Sequence, residues 1–300
     1  MSVPARPEPL ELLAREVRFA YARREVLRGA TLGVRPGEVL SILGANGSGK
    51  TTLLRLLLGL SRPRSGRVCL NGRSLAHYPR RELARHLAYV PQTHVAPFPY
   101  TVREIAVLGR LPHTGLVRAA TREDHAIAMG VLERLGIAEL ADRPYTEISG
   151  GERQLVLIAR ALAQGARILV MDEPVGGLDY GNQLRFLALL RDLAADGYAI
   201  VKATHHPEQT LLASTRVALL CDGVIVLDGP PAEVVTPATI ELIYHVRVSA
   251  FHAPNGEATA FHPHGVNQVP GRAPCLPDTE SAPSLPIMLG QPAHGSRGGR

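Results

Sequence analysis

Gly44-Ala45-Asn46-Gly47-Ser48-Gly49-Lys50-Thr51-Thr52 decides how the rest of the chain is read. The stretch fits G-x-x-x-x-G-K-[ST], with Gly44, Gly49, Lys50 and Thr51 at the fixed positions. Before it, residues 39–43 (VLSIL) read as a short buried strand. After it, Leu53, Leu54, Leu56, Leu57 and Leu58 read as a helix with one buried side, ended by Gly59. Strand, glycine-rich turn and helix form the context this motif requires. Glycines let backbone N–H groups curl around phosphate oxygens, and the helix start adds the positive end of its dipole. Lys50 is expected to reach the β- and γ-phosphates, and the Thr51 hydroxyl to ligate Mg²⁺. The alternative, a turn that merely joins strand to helix, does not account for every fixed position with both flanks. The stretch therefore points to a bound nucleoside triphosphate.

The 300 residues allow one large domain or two modest ones, and 45% hydrophobic content fits a globular protein. No apolar run approaches the roughly 20 residues of a membrane span. The N-terminus, MSVPARPEPLELL, lacks the basic-then-apolar order of a signal peptide. The expectation is a cytoplasmic protein whose membrane role, if any, runs through a partner. The net charge of +6 comes from interleaved charges without a dense basic block. Only Lys50 and Lys202 are lysine among 33 basic residues, so arginine usage reads as compositional bias rather than a nucleic-acid patch. Cys69, Cys221 and Cys275 lack metal or redox spacing and read as reduced thiols.

Residues 10–43 read as a β-rich lead-in, with strands over 12–19 and 26–34 around a charged turn. Tyr21 lies between them; alone, it reads as edge packing. A strand over 87–90 ends at Pro91-Gln92, and a polar side chain at the carboxyl end of such a strand points towards a ligand crevice. That makes Gln92 a candidate contact of Mg²⁺ or of the attacking water, although by itself it is also readable as a solvated loop residue. From 93 to 148 the pattern turns helical, with a short helix at 102–108 and an amphipathic one at 122–135. Pro97, Pro99 and Pro112 break its start. Ser149-Gly150-Gly151-Glu152 is a capping box opening another helix. Two glycines in a first turn cost stability, which suggests close approach to something, and a helix N-terminus suits phosphate. Residues 168–171 form a buried strand ending in Asp172-Glu173. Beside a phosphate loop such an acidic pair reads as magnesium ligand and water-polarising base, respectively. Residues 199–204 repeat the strand pattern and end at His205-His206. Strands 217–221 and 224–227 turn across Asp222-Gly223. A final hairpin is expected over 246–262 around Asn255-Gly256, and a disordered Pro/Gly/Ser-rich tail over 265–300.

With Ile148 to Gln154 in view, residues from about 10 to 245 resemble the nucleotide-binding subunit of an ATP-binding cassette (ABC) transporter, because six motifs occur in that family's order. The resemblance implies an α/β fold: a P-loop NTPase core of the ABC type with an antiparallel β subdomain and a helical insertion, 93–148, in an ATPase domain spanning 10–264. It implies roles as well. Tyr21 stacks on adenine, Gly44 to Thr52 hold the phosphates of ATP, and Gln92 is the Q-loop glutamine. Ser149, Gly150 and Gly151 belong to the signature, Asp172 and Glu173 to the Walker B site, and Asp179 to the D-loop. Thr51, Gln92 and Asp172 surround Mg²⁺, Glu173 is the general base, and His205 senses the γ-phosphate. His205 is preferred to His206 because the family's histidine directly follows the strand and its Thr204. Val175-Gly176-Gly177 departs from the small hydroxyl-bearing residues usual there, and Lys202 within a strand is unexplained.

The resemblance further implies a head-to-tail dimer with a second copy of the chain, each ATP lying between Walker A of one and the signature of the other. Transmembrane permease subunits would hold the pair at the cytoplasmic face of the inner membrane, fed indirectly by a periplasmic or lipoprotein solute-binding protein. Residues 90–92, 98–104 and 108–110, and Leu242-Ile243-Tyr244 followed by Val246-Arg247-Val248, are similar to the ATPases of metal-chelate importers, which serve iron–siderophores, haem, cobalamin and, in a related branch, molybdate. A cassette ATPase for another solute or an exporter remains an alternative. A cassette protein acting on nucleic acid or ribosomes is a further one, against which the absence of a second cassette or long coiled coil counts.

Overall fold

The computed structural model describes residues 11–92, 98–115, 118–254 and 258–264. The expected tail from 265, residues 93–97 of the expected insertion and the expected turn Asn255-Gly256 lie outside the described residues.

In chain order the strands and helices are β1 (Leu12–Tyr21), β2 (Arg24–Val34), β3 (Val39–Leu43), α1 (Lys50–Leu57), β4 (Ser65–Leu70), β5 (Arg73–Ser74), α2 (Arg80–Leu83) and β6 (Leu87–Val90). Next come α3 (Val102–Val107), α4 (Leu111–Thr114), α5 (Arg122–Arg134), α6 (Gly150–Ala163), β7 (Ile168–Asp172) and α7 (Tyr180–Ala195). The chain continues with β8 (Ala199–Thr204), α8 (Pro207–Ala213), β9 (Arg216–Cys221), β10 (Val224–Gly229), α9 (Pro231–Val234), α10 (Pro237–Tyr244), β11 (Val248–His252) and β12 (Ala258–Pro263).

Strands β3, β7 and β8 are buried at every position. Covered on both faces, they cannot alternate polar with apolar, and so read as continuous apolar runs. They occupy the middle of a six-stranded sheet ordered β10-β9-β3-β8-β7-β6, parallel except for the antiparallel edge strand β10. One face packs with α1 against the second, antiparallel sheet β2-β1-β4-β5 through Leu12, Leu27, Leu53, Leu56, Ile42 and Val170. The other face packs on α6 and α7 through Leu157, Ile158, Met171, Leu187, Leu190 and Ile200. Helices α3, α5 and α6 share a separate core around Val102, Ile105, Leu132 and Val156. This arrangement places the carboxyl ends of β3, β8, β7 and β6 side by side.

Local differences from the sequence reading have local causes. Tyr21 is the last residue of β1, inside the strand. Helix α2 is a single turn, in which Leu83 is the buried residue. Pro112 does not break the chain: it lies in the first turn of α4, where a missing N–H costs nothing. Cys69 is a free buried thiol.

Candidate functional site

Four adjacent strand ends supply the site, because parallel strands release their chains at the same edge of the sheet. β3 opens into the glycine loop, β6 into Gln92, β7 ends at Asp172 before Glu173, and β8 ends at Thr204 before His205. Register fixes their level. Leu43 pairs with Thr204, and Ala203 with Asp172.

The glycine loop is closely fitted. A Cβ on Gly44 would lie 2.4 Å from the Leu220 carbonyl oxygen, so any side chain there displaces backbone. Gly49, the N-cap of α1, has φ +107°, a left-handed conformation natural to glycine. The Lys50 ammonium is buried and donates to the carbonyls of Gly44 at 2.8 Å and Ala45 at 3.0 Å, so the loop wraps around it. Burial pushes its pKa down, while Glu173 and Asp172 pull it back up. Among the described residues the buried Ser48 hydroxyl has no hydrogen-bond partner. An orphaned hydroxyl inside a cradle with an ammonium at its floor suits phosphate oxygens.

The acidic pair divides into two settings. Asp172 accepts the Thr51 hydroxyl proton at 2.8 Å. Its carboxyl pKa is raised, chiefly by burial and further by Glu173, against lowering by the Thr51 hydroxyl and Lys50. Glu173 is a non-glycine residue at φ +45°, a backbone state that costs roughly 1–3 kcal/mol and persists only where its surroundings enforce it. Its N–H donates to Ala203 and its carbonyl accepts from Gly176. So held, its carboxylate meets Gln92 Nε2 at 3.1 Å on one oxygen and His205 Nδ1 at 2.7 Å on the other. The sequence reading assigned Gln92 and His205 to metal and phosphate; their direct clasp on Glu173 was not foreseen.

Thr51, Asp172 and Gln92 offer hydroxyl, carboxylate and amide oxygens, the hard donors Mg²⁺ takes. Among the described residues no group of three or more His, Cys, Asp or Glu forms a self-sufficient metal cage. That donor set fits a Mg²⁺ held partly by nucleotide phosphates rather than by protein alone.

The remaining expected site residues lie apart from these. Tyr21 is 49% exposed and touches Phe19 edge-on, with ring centroids 4.9 Å apart. Ser149 caps α6 as expected, its backbone N–H donating to Glu152 Oε2 at 2.7 Å. A Cβ on Gly150 would meet only Leu178, at 4.0 Å, whereas one on Gly151 would strike the Asn182 side chain at 2.9 Å. A side chain at Gly151 would therefore have to displace the Asn182 amide of α7 in its own chain. Asp179 caps α7 by accepting from the Asn182 N–H at 2.9 Å, which holds its carboxyl pKa down. Among the described residues no hydrogen bond links Tyr21, Ser149, Gly150, Gly151 or Asp179 to the glycine loop or Glu173.

Two contributors escaped the sequence reading. Tyr244 donates its phenol to the His205 carbonyl at 2.6 Å, and the His206 ring lies 4.0 Å from that of His205. Neither residue type announces such a role alone.

The family described as ABC transporter matches residues 27–176, which is 150 of the 300 residues. The hemin import ATP-binding protein of Streptomyces coelicolor is 38% identical over 87% of this chain and 92% of its own length. The ferric enterobactin transport ATP-binding protein of Escherichia coli is 35% identical over 79% of this chain and 88% of its own. A solved structure described as an inward-facing conformation of a metal-chelate type ABC transporter superimposes with a TM-score of 0.75 at 31% identity, covering 85% of this chain and 98% of that one. Strand ends that converge on a phosphate loop, and likeness over nearly the full length of these relatives, give one conclusion: the chain belongs to the ATP-binding subunits of ABC transporters and is an ATPase.

Proposed function

We propose that this ATPase powers import of a metal chelate, with iron(III)–siderophore as the first substrate class and haem, cobalamin or molybdate as alternatives. Lys50 and the loop N–H groups hold the ATP phosphates; Thr51, Asp172 and Gln92 would hold Mg²⁺, which when bound would supply positive charge against those phosphates. Glu173 takes a proton from the attacking water, and His205 contacts the γ-phosphate. The observation that carries the hydrolytic part of this reading is the clasp of Gln92 and His205 on the Glu173 carboxylate beside Lys50 and Asp172.

Ser149, Gly150, Gly151 and Asp179 complete the ATP site of a second copy, packed head to tail. Their separation from this chain's own glycine loop supports that arrangement. Permease subunits hold the pair at the cytoplasmic face of the membrane, with a solute-binding protein on the far side. Among the described residues no helix is long and apolar enough to cross a membrane.

The substrate class rests on residues 90–92, 98–104, 108–110, 242–244 and 246–248 and on the names of the relatives. The test is ATPase rate of the chain with its permease in a bilayer, with and without each loaded binding protein, together with iron-chelate uptake in a deletion strain. Stimulation by the loaded siderophore-binding protein and loss of uptake are expected. Intact chelate uptake, with lost uptake of sugars, amino acids or peptides, overturns the substrate class and leaves the ATPase in place.

A further inference from the structure

His205 follows the last residue of β8, so the sheet no longer dictates its direction. Other groups do. The Thr204 hydroxyl accepts the His206 N–H at 3.1 Å and donates to Gln209 Oε1 at 3.0 Å, tying the strand end to α8. The carbonyl of His205 itself accepts the Tyr244 phenol at 2.6 Å. Tyr244 closes α10, 39 residues further on, and its ring packs on a core of Leu43, Val217, Leu219, Val234 and Ile243. Leu43 is the last residue before the glycine loop. One tyrosine thus leans on the strand that leads into the phosphate loop and holds the histidine by its backbone.

We propose that Tyr244 is a positioning residue for catalysis: its hydroxyl sets the peptide that aims the His205 ring at Glu173 and at the γ-phosphate. The inference rests on the assignment of His205 made above. Burial raises the phenol pKa, so Tyr244 stays a neutral donor throughout the working pH range. The segment beyond the cassette's hairpin β9–β10, otherwise without chemistry, thereby contributes one hydrogen bond to the site.

The experiment compares full-length wild type, Tyr244→Phe, His205→Ala and Ile243→Ala for kcat and KM of ATP hydrolysis, with thermal unfolding of each. Tyr244→Phe keeps the ring and removes only the donor. We expect its kcat to fall about 5- to 10-fold, with KM for ATP within twofold of wild type, as the loss of one such hydrogen bond suggests. Ile243→Ala removes a buried side chain from the same helix without touching the hydroxyl. It should lower the unfolding temperature and leave kcat per folded molecule unchanged. Three results overturn the proposal: a kcat within twofold of wild type in Tyr244→Phe, a KM rising in step with the loss, or an equal kcat loss in Ile243→Ala. His205→Ala separates the two levels of inference. If it is inactive while Tyr244→Phe turns over normally, only the positioning role falls; if it retains wild-type turnover, the assignment of His205 falls and the positioning role with it.

Discussion

Lys202 lies in the middle of β8, 1% exposed, between Ser41 of β3 and Met171 of β7 in the sheet register. Its ammonium has one long hydrogen bond, 3.5 Å to the Gln209 carbonyl, and burial lowers its pKa from 10.5 to about 7. That displacement corresponds to about 5 kcal/mol against the charged form in the folded state, at roughly 1.4 kcal/mol per pH unit. The penalty is fully present below pH 7, where folded and unfolded chains both hold the proton. Between about pH 7 and 10.5 only the unfolded chain holds it, so this residue's contribution to stability rises with pH. Lys202→Met keeps the length of the side chain and removes the charge. It should therefore stabilise the protein by on the order of 2–5 kcal/mol at pH 6. The advantage over wild type should shrink by about 2.7 kcal/mol between pH 6 and pH 9, since wild type recovers and the variant has nothing to recover. Urea unfolding of both proteins at pH 6, 7, 8 and 9 measures this difference, in which all other titrations cancel. A destabilised variant, or a gap that does not change with pH, refutes the reasoning.

The other expected outcomes concern the site. Lys50→Ala should remain folded and lose ATP hydrolysis, read as phosphate release; wild-type turnover would contradict the phosphate-loop reading. Glu173→Gln should bind ATP and accumulate ATP-bound dimers in size-exclusion chromatography with Mg²⁺, with turnover reduced about 10²- to 10⁴-fold by loss of the base; normal hydrolysis counts against Glu173. Gly44→Ala forces a Cβ to 2.4 Å from the Leu220 carbonyl and should weaken ATP affinity at least tenfold, measured by calorimetry. Truncation after His264 should leave ATPase activity intact, and an inactive product would place residues beyond 264 in the machine.

What was legible in the sequence is what is local. The glycine loop, the capping box at Ser149 and the Asp222-Gly223 turn each need only neighbouring residues, and each lies where the sequence reading put it. Buried strands β3, β7 and β8 announced themselves by continuous apolar runs. What was not legible is long-range. Gln92 and His205 reach Glu173 from 81 and 32 residues away, and the positive φ of Glu173 has no signature in its residue type. Lys202 looked anomalous in sequence, but only its burial between neighbouring strands turns the anomaly into an energy. Helix α7 was missed for a different reason. Its Asp179 cap and its buried Phe186, Leu187, Leu190, Leu193 and Ala194 carry a helical period, but beyond the cap it bears no residue of the nucleotide motifs.

Gly150 and Gly151 show how far a motif can be taken without coordinates. Adjacent and chemically identical, they share one explanation in the sequence: an N-terminal turn kept bare for phosphate. Their surroundings differ. The hydrogen that would become a Cβ on Gly151 faces the Asn182 amide of α7, whose N–H is itself fixed by Asp179. A side chain at Gly151 would therefore have to move that amide within one chain, whatever a second copy does. Gly150 has only Leu178 nearby, at ordinary contact distance, and its own chain imposes no comparable limit. Of the two, Gly150 is the position whose bareness is left for a partner to explain. The glycine pair thus couples two constraints that the sequence merges into one: an internal joint between α6 and α7, and an open N-terminus presented outward from that joint.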